Sequence, residues 1–181
     1  MDKGSSSKRI PVKQLDIPLN RDLFLRSLIR ELSGTLEDLI GIEDASGFVS
    51  IVGQTIGGHI NSEYKKALSI PKLSRSELAD VLENLKSRIQ GDFYIIEQDD
   101  NRIIFGNREC PFGDYVKDRT SMCMMTSNVF GTIASENVGY AKVVIEEAIA
   151  QHHSECRVVV YLTQTGESQS QVGHEYFGVD D

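Results

Sequence analysis

The apolar periodicity of this chain changes at Gly91, and that change decides what it can fold into. Between Asn20 and Ile89 the apolar residues recur at three- and four-residue intervals. From Asp92 onward short segments rich in aromatic and β-branched residues take over. Asn20 is placed to cap a helix over Arg21–Leu39, with Leu25, Leu28, Ile29, Leu32, Leu36, Leu39 and Ile40 on one stripe and Gly41 ending it. Gly47–Leu68 reads as a second helix. Gly53, Gly57 and Gly58 lie inside it, each costing about 1 kcal/mol relative to Ala, so they predict close approach by another backbone, from this chain or a partner subunit. Pro71 closes that segment, and Ser74-Arg-Ser-Glu77 forms a capping box for a third helix to about Ile89, with Leu78, Val81, Leu82 and Leu85 buried.

The second half reads as two hairpins around one more helix. Asp92–Gln98 and Arg102–Asn107 are strands joined through Asp99-Asp-Asn. Met122–Asn137 carries Met125, Val129, Ile133 and Ala134 at helical spacing. Tyr140–Ala150 suits either helix or strand; the strand Cys156–Leu162 that follows polar Gln151–Glu155 favours a second hairpin. The expected fold class is therefore α+β: N-terminal helices packed with an antiparallel sheet of about four strands and one further helix between the hairpins. Residues 1–19 read as a disordered lead-in, 20–165 as a single domain, and 166–181 as a flexible tail in which Tyr176 and Phe177 could dock.

A chain of 181 residues supports one well-buried core. Its net charge of −8 argues against direct nucleic-acid binding, although Lys3, Lys8, Arg9 and Lys13 crowd the start. The start lacks the apolar core of a signal peptide, and no stretch approaches a membrane span, so a soluble cytoplasmic protein is expected. Three cysteines in a reducing compartment are not a disulfide framework.

Those cysteines, Cys110, Cys123 and Cys156, all fall in the last 72 residues, each where a buried element meets a turn. Sulfur collected from separate elements suits a thiolate metal centre. Their spacing matches no zinc finger or ferredoxin, so a site would need tertiary assembly. A fourth ligand would come from His59, His152, His153, His174, Asp114, Glu155 or outside the chain. Inert core sulfur and a redox-sensing thiol pair are the competing readings. Met122, Met124 and Met125 surround Cys123, either as core filler or as the wall of an adaptable apolar pocket. No histidine is placed beside Cys110 or Cys123 by sequence, and no HExxH, GxSxG or phosphate-loop motif occurs, which argues against catalysis.

Several blocks, in order, carry a family likeness: Phe48-Val-Ser-Ile-Val-Gly-Gln, Gly91-Asp-Phe, Gly106-Asn-Arg-Glu-Cys-Pro-Phe-Gly, Met122-Cys-Met-Met-Thr-Ser-Asn-Val-Phe-Gly, Asn137-Val-Gly-Tyr-Ala-Lys and Cys156-Arg-Val-Val-Val-Tyr-Leu. Over roughly Asn20 to Leu162 they resemble the methanogen output domain family, itself distantly similar to the 4-vinyl-reductase-like, hydrocarbon-binding domains. The resemblance implies an α+β sensory or output module, often dimeric, with Cys110, Cys123 and Cys156 as functional positions and small apolar molecules as ligands. With no DNA-binding or kinase segment attached, output is expected through a separate signalling or regulatory protein.

Together these readings predict a cytoplasmic sensory module that is not an enzyme and forms a homodimer. Cys110, Cys123 and Cys156 would hold an iron–sulfur cluster or Zn²⁺, and Met124, Met125, Phe112 and Phe130 would line an adjoining apolar ligand pocket. A metal-free binding module and a thiol redox sensor are the alternatives.

Overall fold

Asn20 begins the first helix as its residue type predicts: its side chain accepts the Leu23 N–H at 2.9 Å, filling one of the donors a helix N-terminus leaves open. In the computed structural model, which describes residues 16–178, that helix, α1, runs Arg21–Leu68. Two helices separated at Gly41 were expected. Gly41 instead kinks a single run: its φ of 82° and ψ of 163° lie in a region open essentially to glycine alone, and helical geometry resumes at Ile42. The two arms of α1 therefore meet at one residue.

Ser74 and Glu77 close the capping box of α2 (Arg75–Arg88). The remaining elements are β1 (Phe93–Gln98), β2 (Arg102–Asn107), α3 (Cys123–Val138), β3 (Tyr140–Glu147), β4 (Cys156–Tyr161), α4 (Gly166–Ser170) and β5 (His174–Phe177). The strands form one antiparallel sheet in the order β1-β2-β4-β3-β5, so pairing of β2 with β4 joins the two hairpins.

Side-chain alternation splits the sheet into two faces. Ile103, Phe105, Val143, Val158 and Val160 turn toward α2 and α3 and build the main core with Leu78, Leu82, Phe130 and Ile133. Ile104, Val144, Val159 and Tyr161 form a second buried cluster.

The sheet has five strands rather than about four, and the stretch expected as a flexible tail supplies the fifth. Tyr176 is the reason: its ring lies over Gly131, where an added Cβ would meet it at 2.1 Å, and its hydroxyl is 2.9 Å from Ser127 Oγ. Residues 166–177 thus carry α4 and β5. Residues 1–15, with most of the expected disordered lead-in and its basic residues, lie outside the described residues. No helix among the described residues is long and apolar enough to cross a membrane.

The glycines of α1 explain how it sits. A Cβ on Gly53 would fall 2.7 Å from Asn128 Cβ, and one on Gly57 would fall 3.2 Å from Val129 Cα and 3.0 Å from Thr132 Cβ. The close backbone that the sequence demanded is α3 of the same chain. Gly58 faces only Glu136 Oε1, at 3.4 Å.

Candidate functional site

The three cysteines come together because each opens or follows an element that the sheet brings to one end. Cys156 is the first residue of β4, and the β2–β4 register sets it opposite Asn107, three residues before Cys110. Cys123 is the first residue of α3, reached through two short 3₁₀ turns, Gly113–Val116 and Thr120–Met122. The Cys110 carbonyl accepts the Gly113 N–H at 2.7 Å, closing the Cys-Pro-Phe-Gly turn. Cys156 Sγ accepts N–H groups from Ile149, at 3.4 Å, and Asn107 Nδ2, at 3.7 Å. All three thiols are free and line one cavity of about 30 Å³, with Asn107, Phe112, Met122 and Thr126 among its other walls.

The convergence of sulfur is not accompanied by a metal-ligand group among the described residues. Among the described residues no group of three or more His, Cys, Asp or Glu side chains is placed to hold an ion. None of the four histidines lines the cysteine cavity: His152 Nε2 lies 2.8 Å from Asp118 Oδ1 at the exposed β3–β4 turn, His153 and His174 are exposed, and His59 borders a separate groove between α1 and α2. Desolvation pushes the Cys123 thiol up to about 12 and raises that of Cys110. No ligand group among the described residues supports the expected iron–sulfur cluster or zinc ion.

The site also contains a cation that the cysteine pattern did not suggest. Lys86, on α2, is 4% exposed, and its Nζ lies 2.8 Å from Thr126 Oγ1 and 5.1 Å from the ring centres of both Phe93 and Phe130. Thr126 is its only hydrogen-bond partner among the described residues. Burial lowers its pKa to about 8, while the nearby Cys110, Cys156 and Cys123 pull in the opposite direction. Such a cation disfavours a second positive charge close by. The signal was present in sequence: Leu78, Leu82 and Lys86 recur every four residues, which sets the lysine on the buried stripe.

The expected apolar pocket exists in altered form. A groove of about 350 Å³ opens between the arms of α1, with Ile29, Leu32 and Leu36 on one arm, Phe48, Val52 and Ile56 on the other, and Phe112, Met122 and Met125 at its floor. Phe112 and Met125, two of the residues expected to line a pocket, border this groove. Phe130 is instead core, packed between Phe93 and Phe105 at 5.6 and 5.4 Å, and Met124 lines neither cavity. Phe112 and Met122 border both the groove and the thiol cavity.

The loop that carries Cys110 is tied to the first arm of α1. Arg30 Nη1 donates to the carbonyls of Tyr115 and Lys117 at 2.6 and 2.8 Å, and Glu37 accepts from Ser121 and pairs with Arg119 at 3.6 Å. A displacement of the loop therefore acts on α1 directly.

The model of the methanogen output domain 1 family matches residues 28–161, about three quarters of the chain. Among solved structures, the phenol-responsive sensory domain of the transcription activator PoxR, with phenol, is 18% identical; the match covers 90% of this chain and 88% of that one, with a TM-score of 0.62. A trafficking protein particle complex subunit 3 from Naegleria fowleri, covalently bound to palmitic acid, is 12% identical over 79% of this chain and 95% of that one, with a TM-score of 0.55. Both likenesses are of fold. No curated protein matches the sequence.

Proposed function

Because the chain belongs to the methanogen output domain 1 family, we propose that it is a sensory module whose input is a small, largely apolar molecule held in the fork of α1. The observation that carries this reading is the shared wall: Phe112 and Met122 face the apolar groove on one side and the three thiols on the other. An occupant of the groove presses on Phe112, which belongs to the Cys-Pro-Phe-Gly turn. Arg30, Glu37 and Arg119 pass a shift of that loop to α1. PoxR's sensory domain responds to phenol on the same fold, which favours a binding role over a catalytic one.

The outer surface of α1 supplies the output. Phe24, Leu28, Leu39 and Ile51, none of which lines the groove, are all exposed on it and supply an apolar band. That band pairs with a second copy or with a separate regulatory protein. Thiol redox sensing is the weaker reading, because buried, protonated thiols react slowly.

Titration calorimetry of the purified protein with 1-octanol and with phenol tests the reading. Saturable binding that Val52→Asp abolishes supports it, since Val52 lines the groove yet is half exposed and tolerates a charge. Absence of saturable heat with both probes removes the groove as an input site.

A further inference from the structure

We infer that the thiol cavity receives a neutral hydroxyl group, which donates to Asn107 Oδ1, and that the molecule held in the α1 fork is therefore an apolar alcohol or phenol. The inference rests on the groove reading above and narrows its ligand class.

Asn107 is the first reason. It closes β2, and strand alternation puts it on the same face as Ile103 and Phe105, which are core. The residue is 1% exposed. Its Nδ2 reaches only Cys156 Sγ, at 3.7 Å, and its Oδ1 has no hydrogen-bond partner among the described residues. Buried polar atoms are almost always paired, and a leucine would continue this core face if packing were the only requirement. What Asn107 lacks is a donor, and it borders the thiol cavity.

The rest of the cavity decides the kind of donor. Apart from Asn107, Thr126 and the three thiols, its lining residues are apolar, so an ion would lose its hydration there without replacement. A carboxylate would also face the Asn107 oxygen as acceptor against acceptor. An ammonium would come close to Lys86, whose Nζ is 2.8 Å from the Thr126 hydroxyl. A hydroxyl answers both sides of the site: its O–H serves Asn107, and its oxygen can accept from the weak S–H donors of Cys110 and Cys123, which burial keeps protonated. The cavity's volume of about 30 Å³ exceeds the roughly 10–15 Å³ that one water needs, so it suits a head group and not a whole ligand. Phe112 and Met122 are common to both linings, so displacing their side chains opens the cavity to the apolar groove of about 350 Å³.

Three molecules of similar size separate the possibilities: 1-octanol has a neutral donor, heptyl methyl ether only an acceptor, and octanoate a charge. Titration calorimetry at pH 7 on the unmodified protein is expected to give octanol binding about tenfold tighter than the ether, with octanoate weaker than either. Asn107→Leu is expected to erase the octanol advantage while leaving ether affinity in place. The comparison on the unmodified protein decides by itself should that variant not fold. Ether or octanoate binding as tightly as octanol, or an octanol advantage that survives in Asn107→Leu, would overturn the hydroxyl inference and leave the apolar groove standing. Failure of all three to bind would overturn both.

Discussion

Arg30, in the first arm of α1, donates to the carbonyl oxygen of Tyr115 at 2.6 Å, so the loop holding Cys110 is pinned by a helical residue 85 positions away in sequence. The same guanidinium also takes the Lys117 carbonyl. Arg30→Ala removes both charge-assisted bonds at once. A stability loss of about 1–3 kcal/mol is expected, together with several-fold faster alkylation of Cys110 by iodoacetamide, followed by intact-protein mass. In the unmodified protein Cys110 and Cys123 should both label far more slowly than in the unfolded chain, because burial raises both thiols. Equal labelling rates in Arg30→Ala and unmodified protein would show that α1 does not hold the loop.

The glycines of α1 make a graded series. Gly53→Ala and Gly57→Ala force a Cβ against α3, at 2.7 Å from Asn128 Cβ and 3.2 Å from Val129 Cα, and are expected to cost about 1–3 kcal/mol each. Gly58→Ala meets only the end of Glu136 and should be neutral or stabilising by up to about 1 kcal/mol. Gly41→Ala has open space around it but the wrong backbone, and is expected to cost about 1–3 kcal/mol. Urea denaturation of the four variants gives the order directly.

Local chemistry made most of the elements readable before any coordinates. The Ser74 capping box, the change of period after Gly91 and the spacing in Met122–Asn137 depend on near neighbours, and each holds. Gly41 was read as a stop because glycine ends helices more often than it kinks them; the choice is made by contacts of both arms with α3 and the loop, which no local pattern records. β5 was missed because its four residues gain strand geometry only by pairing with β3 and by seating Tyr176 on Gly131. Convergence of the cysteines was legible from their position at element ends. Their chemistry was not, since it depends on Lys86 arriving from α2, and a lysine is ordinarily assigned to a helix's wet face.

The exposed band on α1 carries its own test. Ile51 is 65% exposed, so Ile51→Glu should leave the unfolding midpoint of the single chain within about 0.5 kcal/mol. If the band pairs two copies, light scattering will show unmodified protein as a dimer and Ile51→Glu shifted toward monomer. Unmodified protein that stays monomeric at high micromolar concentration would assign the band to a different partner.

Lys86 gives the pH dependence with a definite sign. Its folded-state pKa, about 8, lies below the ordinary 10.5, so the unfolded chain binds more protons between those values and stability rises with pH across that interval. Below pH 8 the buried charge costs about 3 kcal/mol, partly offset by Thr126 and the two rings. Raised thiols act oppositely: Cys123, pushed up to about 12 from 9.0, stays protonated in the fold while the unfolded chain ionises, so its contribution falls as pH rises above 9. Comparing Lys86→Met with the unmodified protein cancels the thiol effect to first order. The variant is expected to be the more stable of the two at pH 7, with the gap closing between pH 8 and 10.5 in urea titrations. A gap that stays constant over that interval would mean that the ammonium is solvated rather than buried.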